Sequence, residues 1–374
     1  MTSSYRPSMT VRGFAVMAFL VIVLAGIKSA SAIVVPFVLS VFIAMICSPV
    51  ISTFVRYRVP RWLAVLLMMG LILLAGLWIA SIVGSSINDF TKNLPEYRSQ
   101  LVEQFSWILD KLRQFNIRIS KDQVLAYFDP GMALSMTTNT LSGVGNVMAN
   151  LFLIILTIVF MLFEAESLPR KLHLALDRPD MRMSQIDRFM KSVNRYMVIK
   201  TLVSLATGAI AGIGLWLMGV DYPLLWGVVA FLFNYIPNIG SVIAALPPVL
   251  LAFVQFGPSG AGGVGILYIA INMVMGNVIE PRFMGRGLGL STLVVFLSLI
   301  FWGWLLGSVG MLLSVPLTMI VKIALENNAQ SRKFAILLAD DSSAQEIHDR
   351  ASHEDENTDN ADTQATAHKQ GENE

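Results

Sequence analysis

The amino-acid order points to an all-α, polytopic integral membrane protein of about eight transmembrane helices, with broken or re-entrant segments in its C-terminal half. Three observations carry this. The 374 residues are 55% apolar and only 14% charged, whereas soluble domains carry about 25% charged residues. Hydrophobic runs long enough to cross a bilayer recur through most of the chain. Lys and Arg gather in the polar stretches beside those runs, as they do in the cytoplasmic loops of membrane proteins.

The first apolar run, 14–27, is preceded by Arg6 and Arg12 and followed by Ala30-Ser31-Ala32, an imitation of a cleavable secretory signal. Lys28 stands between the run and the supposed cleavage site, and a second run, 32–54, follows at once. An uncleaved hairpin fits better. After the basic turn Arg56, Arg58 and Arg61 comes a third run, 62–83. Together 1–84 form an N-terminal three-span part.

Residues 85–143 break this pattern. Tyr97, Leu101, Phe105, Ile108, Leu112 and Phe115 recur every three or four positions, and Glu103, Asp110, Lys111 and Arg113 fill other faces. That spacing predicts an amphipathic helix, opened by Pro95 near its first turn. Ser120-x-x-Gln123 resembles the capping box of a short second helix, which Asp129-Pro130-Gly131 ends. The apolar face of this insertion suits lipid, the other spans or a sister subunit, so a homo-oligomer stays open.

A fourth run covers 143–163 and a fifth covers 201–219. Between them lie Arg170, Lys171, Arg178, Arg182, Arg188, Lys191, Arg195 and Lys200, a strong cytoplasmic signal. Topology explains this basic loop without nucleic acid. The sixth run, 224–256, is too long for one simple span and is interrupted by Pro237, Pro247 and Pro248. The seventh is 262–279. The eighth, 291–325, is again overlong and carries Gly303, Gly307, Gly310 and Pro316. Residues 144–339 thus form a C-terminal membrane part. From about Asp340 the chain is polar and acidic, cannot bury enough surface to fold, and reads as a disordered tail over 340–374. Placing the basic loops and both termini in the cytoplasm gives eight crossings and puts 85–143 outside.

Enzyme signatures are missing, and neither a cofactor nor a metal site is expected. No G-x-x-x-x-G-K-[ST] phosphate loop and no H-E-x-x-H occurs, and all four histidines fall outside the apolar runs. The one cysteine, Cys47, forms no disulfide framework. What remains is a set of polar and helix-breaking residues inside apolar sequence. Asn234, Tyr235, Pro237, Asn238 and Gly240 interrupt the sixth run. Proline removes a backbone donor, and the freed polar groups must find protein or water partners at membrane depth. Asn272 and Asn277 precede Glu280 by eight and three residues, so a regular helix would put all three on roughly one face. Glu280, Pro281 and Arg282 then stand where lipid excludes unpaired charge. Arg282 and Arg286 are the candidate partners of Glu280. Trp226-Gly227, Ile239-Gly240 and Pro247 compare with Trp302-Gly303, Val309-Gly310 and Pro316, the kind of internal likeness that marks a transporter's central site.

The runs F-N-Y-I-P-N-I-G-S, N-V-I-E-P-R-F-M-G-R and G-W-L-L-G-S-V-G-M-L-L-S-V-P-L-T resemble those of the autoinducer-2 exporter family of bacterial membrane permeases. The resemblance implies a secondary transporter of a small polar solute in the bacterial cytoplasmic (inner) membrane. Some members are linked to export of the quorum-sensing signal autoinducer-2, others to sodium or lithium efflux in exchange for protons. The expected partners are the solute, a coupling proton or sodium ion, and the lipid bilayer. A sodium or lithium/proton antiporter and a non-transporting membrane scaffold are the competing readings. Asn234, Tyr235 and Asn238 are expected to hydrogen-bond the solute, and Glu280 to take a proton or cation.

Overall fold

The computed structural model describes residues 9–114, 151–164, 171, 179–237, 239–284, 289–326 and 331–345. Every regular element among them is helical. They run α1 (Met9–Ser29), α2 (Ser31–Arg56), α3 (Arg61–Gln114), α4 (Leu151–Glu164), α5 (Pro179–Leu217), α6 (Pro223–Phe233), α7 (Gly240–Ile271), a π-helical stretch (Asn272–Ile279), α8 (Glu280–Met284), α9 (Thr292–Leu312), α10 (Ser314–Glu326) and α11 (Arg332–Leu338). Among the described residues, five helices are long and apolar enough to cross a membrane. α3 carries the third span into the insertion without a stop. Pro95 lies inside this helix instead of opening a new one. The second amphipathic helix and its Asp129-Pro130-Gly131 stop lie outside the described residues.

Three apolar cores hold the bundle together. Ala44, Cys47 and Ile51 of α2 pack on Ala64, Val65 and Met69 of α3 and Ile158 and Leu162 of α4. Phe42 joins Val193, Tyr196 and Met197 of α5 to Leu290, Leu305 and Leu313 in a second core. The third gathers α5, α6 and α7 around Ala211, Leu215, Ala230 and Val264. Here α5 and α6 approach to backbone contact: a Cβ on Gly208 would sit 2.6 Å from the Gly227 carbonyl oxygen. Small residues allow that approach where lipid tails supply no hydrophobic drive. Large side chains such as Phe14, Phe19, Leu202 and Leu217 are exposed, as suits a surface against acyl chains, while Trp78, Leu205 and Trp216 line a cleft of about 880 Å³ between α3, α5 and α6.

Both overlong runs double back. α6 leaves Asp221, the chain reverses at 234–239, and α7 returns until Gln255 Oε1 accepts the Asp221 backbone N–H at 3.2 Å. Gly257 then breaks α7 with φ 70, a left-handed value that favours glycine. Beyond it the chain runs antiparallel to α5, with Gly263 near Met218, Leu267 against Gly214 and Glu280 against Lys200. The eighth run behaves alike. α9 brings Trp304 to 4.0 Å from Lys28 Nζ, breaks at Gly307 (φ 69), and α10 returns until Lys322 Nζ donates to the Gly289 carbonyl at 2.8 Å. Each hairpin starts and ends at one end of the bundle. Arg282 therefore lies at the end reached by the first half of α5, not at the opposite end that eight single crossings would give it.

The internal likeness has a physical counterpart in these hairpins. A Cβ on Gly240 would collide with the Phe233 carbonyl, and one on Gly310 with the Trp302 carbonyl. In both, the second marker glycine is what lets the returning arm press on the backbone of the outgoing one. The C-terminal residues brace the second hairpin. Ser291 N donates to Leu338 O at 3.2 Å and Asp340 N to Gly289 O at 3.3 Å. The described structure continues to 345, with a helical turn at 341–345 just past the sequence boundary at 340.

Candidate functional site

A polar face runs along α5. Lys200, Thr201, Ser204 and Thr207 recur at the three- and four-residue spacing that stacks side chains on one side of a helix. At about 1.5 Å per residue they cover roughly 10 Å of its length. Opposite them stand Glu280 from α8, Tyr235 and Asn234 from the α6–α7 turn, and Tyr268 from α7.

The first rung is an ion pair. Lys200 Nζ lies 2.5 Å from Glu280 Oε1, with the lysine side chain 4% and the glutamate side chain 20% exposed. Tyr196, buried one turn earlier, covers it from the α5 side. On the second rung the Tyr235 hydroxyl donates to Thr201 Oγ1 at 2.8 Å, and Thr201 in turn donates to the Met197 carbonyl at 2.7 Å. On the third, Asn234 Nδ2 donates to Ser204 Oγ at 2.9 Å. The fourth level holds Thr207 and Tyr268, beside Asn272 and Ser241. The turn at 234–239 supplies two of these rungs because proline and glycine free it from the helical pattern. Ile239 N reaches back to Pro237 O at 2.6 Å, and Gly240 is buried at the base of the turn.

The structure brings Asn234, Tyr235 and Glu280 together and places Pro237 and Gly240 in the turn that carries the first two. Asn272 lines the fourth level. Both asparagines are exposed residues, but only Asn272 borders the small pocket at the fourth level, and Asn277 does not join the four rungs. The reason is the π-helical stretch, whose i→i+5 bonds widen the turn and rotate position 277 off the face that a regular helix would share with 280. Pro281 and Arg282 are exposed, and Arg282 is not the partner of Glu280. Arg286 and Asn238 lie outside the described residues.

Lys200, Thr201, Ser204 and Thr207 are the residues that sequence reasoning missed. Lys200 counts by composition as the last charge of a basic loop. Its alignment with three hydroxyl residues inside the following apolar run is the signal that would have found it.

Buried charge and hydroxyls gathered on one face of α5, two broken hairpins beside them, and five helices among the described residues long and apolar enough to span mark a polytopic membrane protein. The model described as AI-2E family transporter matches residues 17–330. Over 90% of its length the chain is 47% identical to the AI-2 transport protein TqsA of Escherichia coli K12, covering 98% of that protein. It is also 44% identical to a putative transport protein of Haemophilus influenzae, over 86% of this chain and 94% of that one. A putative transport protein of Borreliella burgdorferi is 31% identical over 85% and 87%. The chain belongs to the AI-2E transporter family, and its function is membrane transport.

Proposed function

We propose that the polar face of α5 and the two turns opposite it form the translocation route for a small polar solute, driven by an ion or solute gradient. The observation that carries this reading is the Lys200–Glu280 pair. A charge pair this deep among apolar helices adds little stability over well-packed apolar residues, because desolvation offsets its Coulomb gain. Buried ionisable groups in spans are characteristically functional. In the cycle, Glu280 accepts a proton from the aqueous side open to it and loses its attraction for Lys200. The hydroxyl and amide rungs beyond then exchange partners with the solute. On release of the proton to the other side, the pair re-forms. Tyr235 and Asn234 hold the solute through groups that both donate and accept.

The cargo suggested by the Escherichia coli relative is AI-2, a small polar signal molecule that suits neutral hydroxyl and amide partners. The first half of α5, the loop after Glu280 and both termini face the cytoplasm in this reading, since Lys191, Arg195 and Arg282 then obey the positive-inside rule. Proteoliposomes loaded with AI-2 test it. A proton gradient should accelerate its movement through the wild-type protein, and Glu280→Gln should abolish that acceleration while downhill exchange persists. Gradient-driven flux of wild-type size in Glu280→Gln at equal protein content would remove the pair from the mechanism.

A further inference from the structure

α3 is held at two places and stands off from α5 between them. Near its start, Ala64, Val65 and Met69 pack on α2 and α4. Further along, the Tyr97 hydroxyl donates to Asp221 Oδ2 at 2.6 Å and lies 3.0 Å from the Tyr222 hydroxyl, at the foot of α6. A Cβ on Gly76 or Gly84, between those two points, would meet nothing within 4 Å. The cleft of about 880 Å³ lies along this stretch, between α3 and the joined faces of α5 and α6. Gly208, Gly212 and Gly227, through which α5 and α6 touch, line it where larger residues would fill it.

We propose that this cleft binds the acyl chains of one zwitterionic phospholipid. Its lining is almost wholly apolar. At membrane depth no water is at hand to fill it, so an empty cleft would leave its lining atoms without partners. The lining runs from Ala75 to Ser86 on α3 and from Leu205 to Trp216 on α5. At about 1.5 Å per residue each stretch is roughly 16 Å long. That is half of the roughly 30 Å hydrocarbon core, and so the depth of one leaflet. Spread over that length, the 880 Å³ leave a bore of roughly 8 Å, against about 10–12 Å for a helix with its side chains. A helix from a second copy of the chain is too thick for the cleft, and acyl chains are not.

The polar end of the cleft selects the headgroup. Ser85, Ser86 and Tyr222 gather there, at the end where Trp216 lies, and Trp and Tyr favour the depth at which headgroups begin. One and two turns beyond Ser85, on the same side of α3, stand Asp89 and Lys92. Lys92 Nζ and Asp89 Oδ1 are 3.7 Å apart, on side chains 67% and 55% exposed. An ammonium and a carboxylate side by side complement the phosphate and ammonium of phosphatidylethanolamine, whereas a purely anionic headgroup would meet the Asp89 charge. The leaflet is the one away from Lys200, the outer leaflet in the orientation proposed above. The site itself depends neither on that orientation nor on the polar face of α5. Occupied, it braces α3 against α5 and α6 at mid-length.

The test uses the full-length protein in detergent, titrated with phosphatidylethanolamine or phosphatidylglycerol and followed by thermal unfolding. Phosphatidylethanolamine should raise the unfolding temperature saturably, at a concentration at least fivefold below that of phosphatidylglycerol. Ala209 lines the cleft, so Ala209→Phe should weaken the effect at least tenfold. Leu74→Phe, at a side chain exposed outside the cleft, should not. Asp89→Asn/Lys92→Gln should erase the preference between the two lipids. A second measurement reads contact without filling the cleft. Phosphatidylethanolamine with brominated chains quenches the tryptophans it touches, and Trp78→Phe/Trp216→Phe should remove most of the quenching seen in the wild type. Equal quenching in that double variant, or a lipid shift unchanged in Ala209→Phe, overturns the proposal. So does a change of oligomeric mass in Ala209→Phe with the lipid shift intact, which would give the cleft to a second copy of the chain.

Discussion

Lys200→Met should destabilise the folded protein by roughly 3–5 kcal/mol, because it leaves the Glu280 carboxylate among apolar helices without its counter-charge. Glu280→Gln should cost a similar amount, since the Lys200 ammonium is the more deeply buried partner, at 4% exposure against 20%. The double variant Lys200→Met/Glu280→Gln removes both charges and should recover most of the loss. A double-mutant cycle on unfolding temperature in detergent measures the coupling directly. Arg282→Gln is the control. Its side chain is exposed and separate from the pair, so its effect should stay within about 0.5 kcal/mol. An Arg282→Gln loss as large as that of Lys200→Met would reassign the partner.

The second large effect is expected at the hairpin turns. Gly240→Ala drives a methyl group into the Phe233 carbonyl, with the Phe233 carbonyl carbon at 2.8 Å and Ile236 Cβ at 3.1 Å. Those atoms belong to backbone or to a buried neighbour, so they cannot step aside as the tip of a long side chain can. The cost should reach or exceed the upper end of the roughly 1–3 kcal/mol seen for overpacking. Gly310→Ala, facing the Trp302 carbonyl, should behave alike. Gly262→Ala meets nothing within 4 Å and should leave the protein unharmed. Membrane abundance and unfolding temperature of the three variants, compared side by side, check the whole set. Equal behaviour of all three would mean that the turns are not packed as described.

Much of this architecture was legible because bilayers punish exceptions. Glu280 stands out in an apolar run, and Asn234-Tyr235 beside Pro237 stands out in another, so both were marked by their chemistry alone. The doubling back of the sixth and eighth runs was visible as excess length. Its geometry was not: the sixth run reverses in the short turn between Phe233 and Gly240 and leaves its hairpin through positive φ at Gly257, the eighth breaks at positive φ at Gly307, and many glycines in this chain take ordinary values. Thr201, Ser204 and Thr207 stayed hidden for a different reason. A hydroxyl in a span can satisfy itself on its own helix, as Thr201 does on Met197, so hydroxyls raise no alarm in apolar sequence. Their meaning comes from partners 30 and 34 residues away in the chain, Asn234 for Ser204 and Tyr235 for Thr201. Lys200 was masked by its seven basic neighbours. Its partner lies 80 residues on, and no local pattern pairs them. Asn277 failed because the face argument assumed a regular helix, and the π-helical stretch from Asn272 to Ile279 breaks that assumption.

The proposed route requires one face of α5 to meet water and the other to meet lipid. Cys47 is buried and is the only cysteine in the chain, so a Cys47→Ser protein gives a clean background for single cysteines at 201, 204, 202 and 210. Leu202 and Ile210 are 61% and 43% exposed, and neither stands three or four positions from 201 or 204, so neither shares their side of the helix. The measurement is the rate of modification by a small water-soluble thiol reagent in membranes, with and without AI-2. Rapid modification at 201 and 204, slowed by AI-2, with 202 and 210 inert, is the predicted result. Modification at 202 and 210 with 201 and 204 inert would put the water on the other side of α5 and contradict the route.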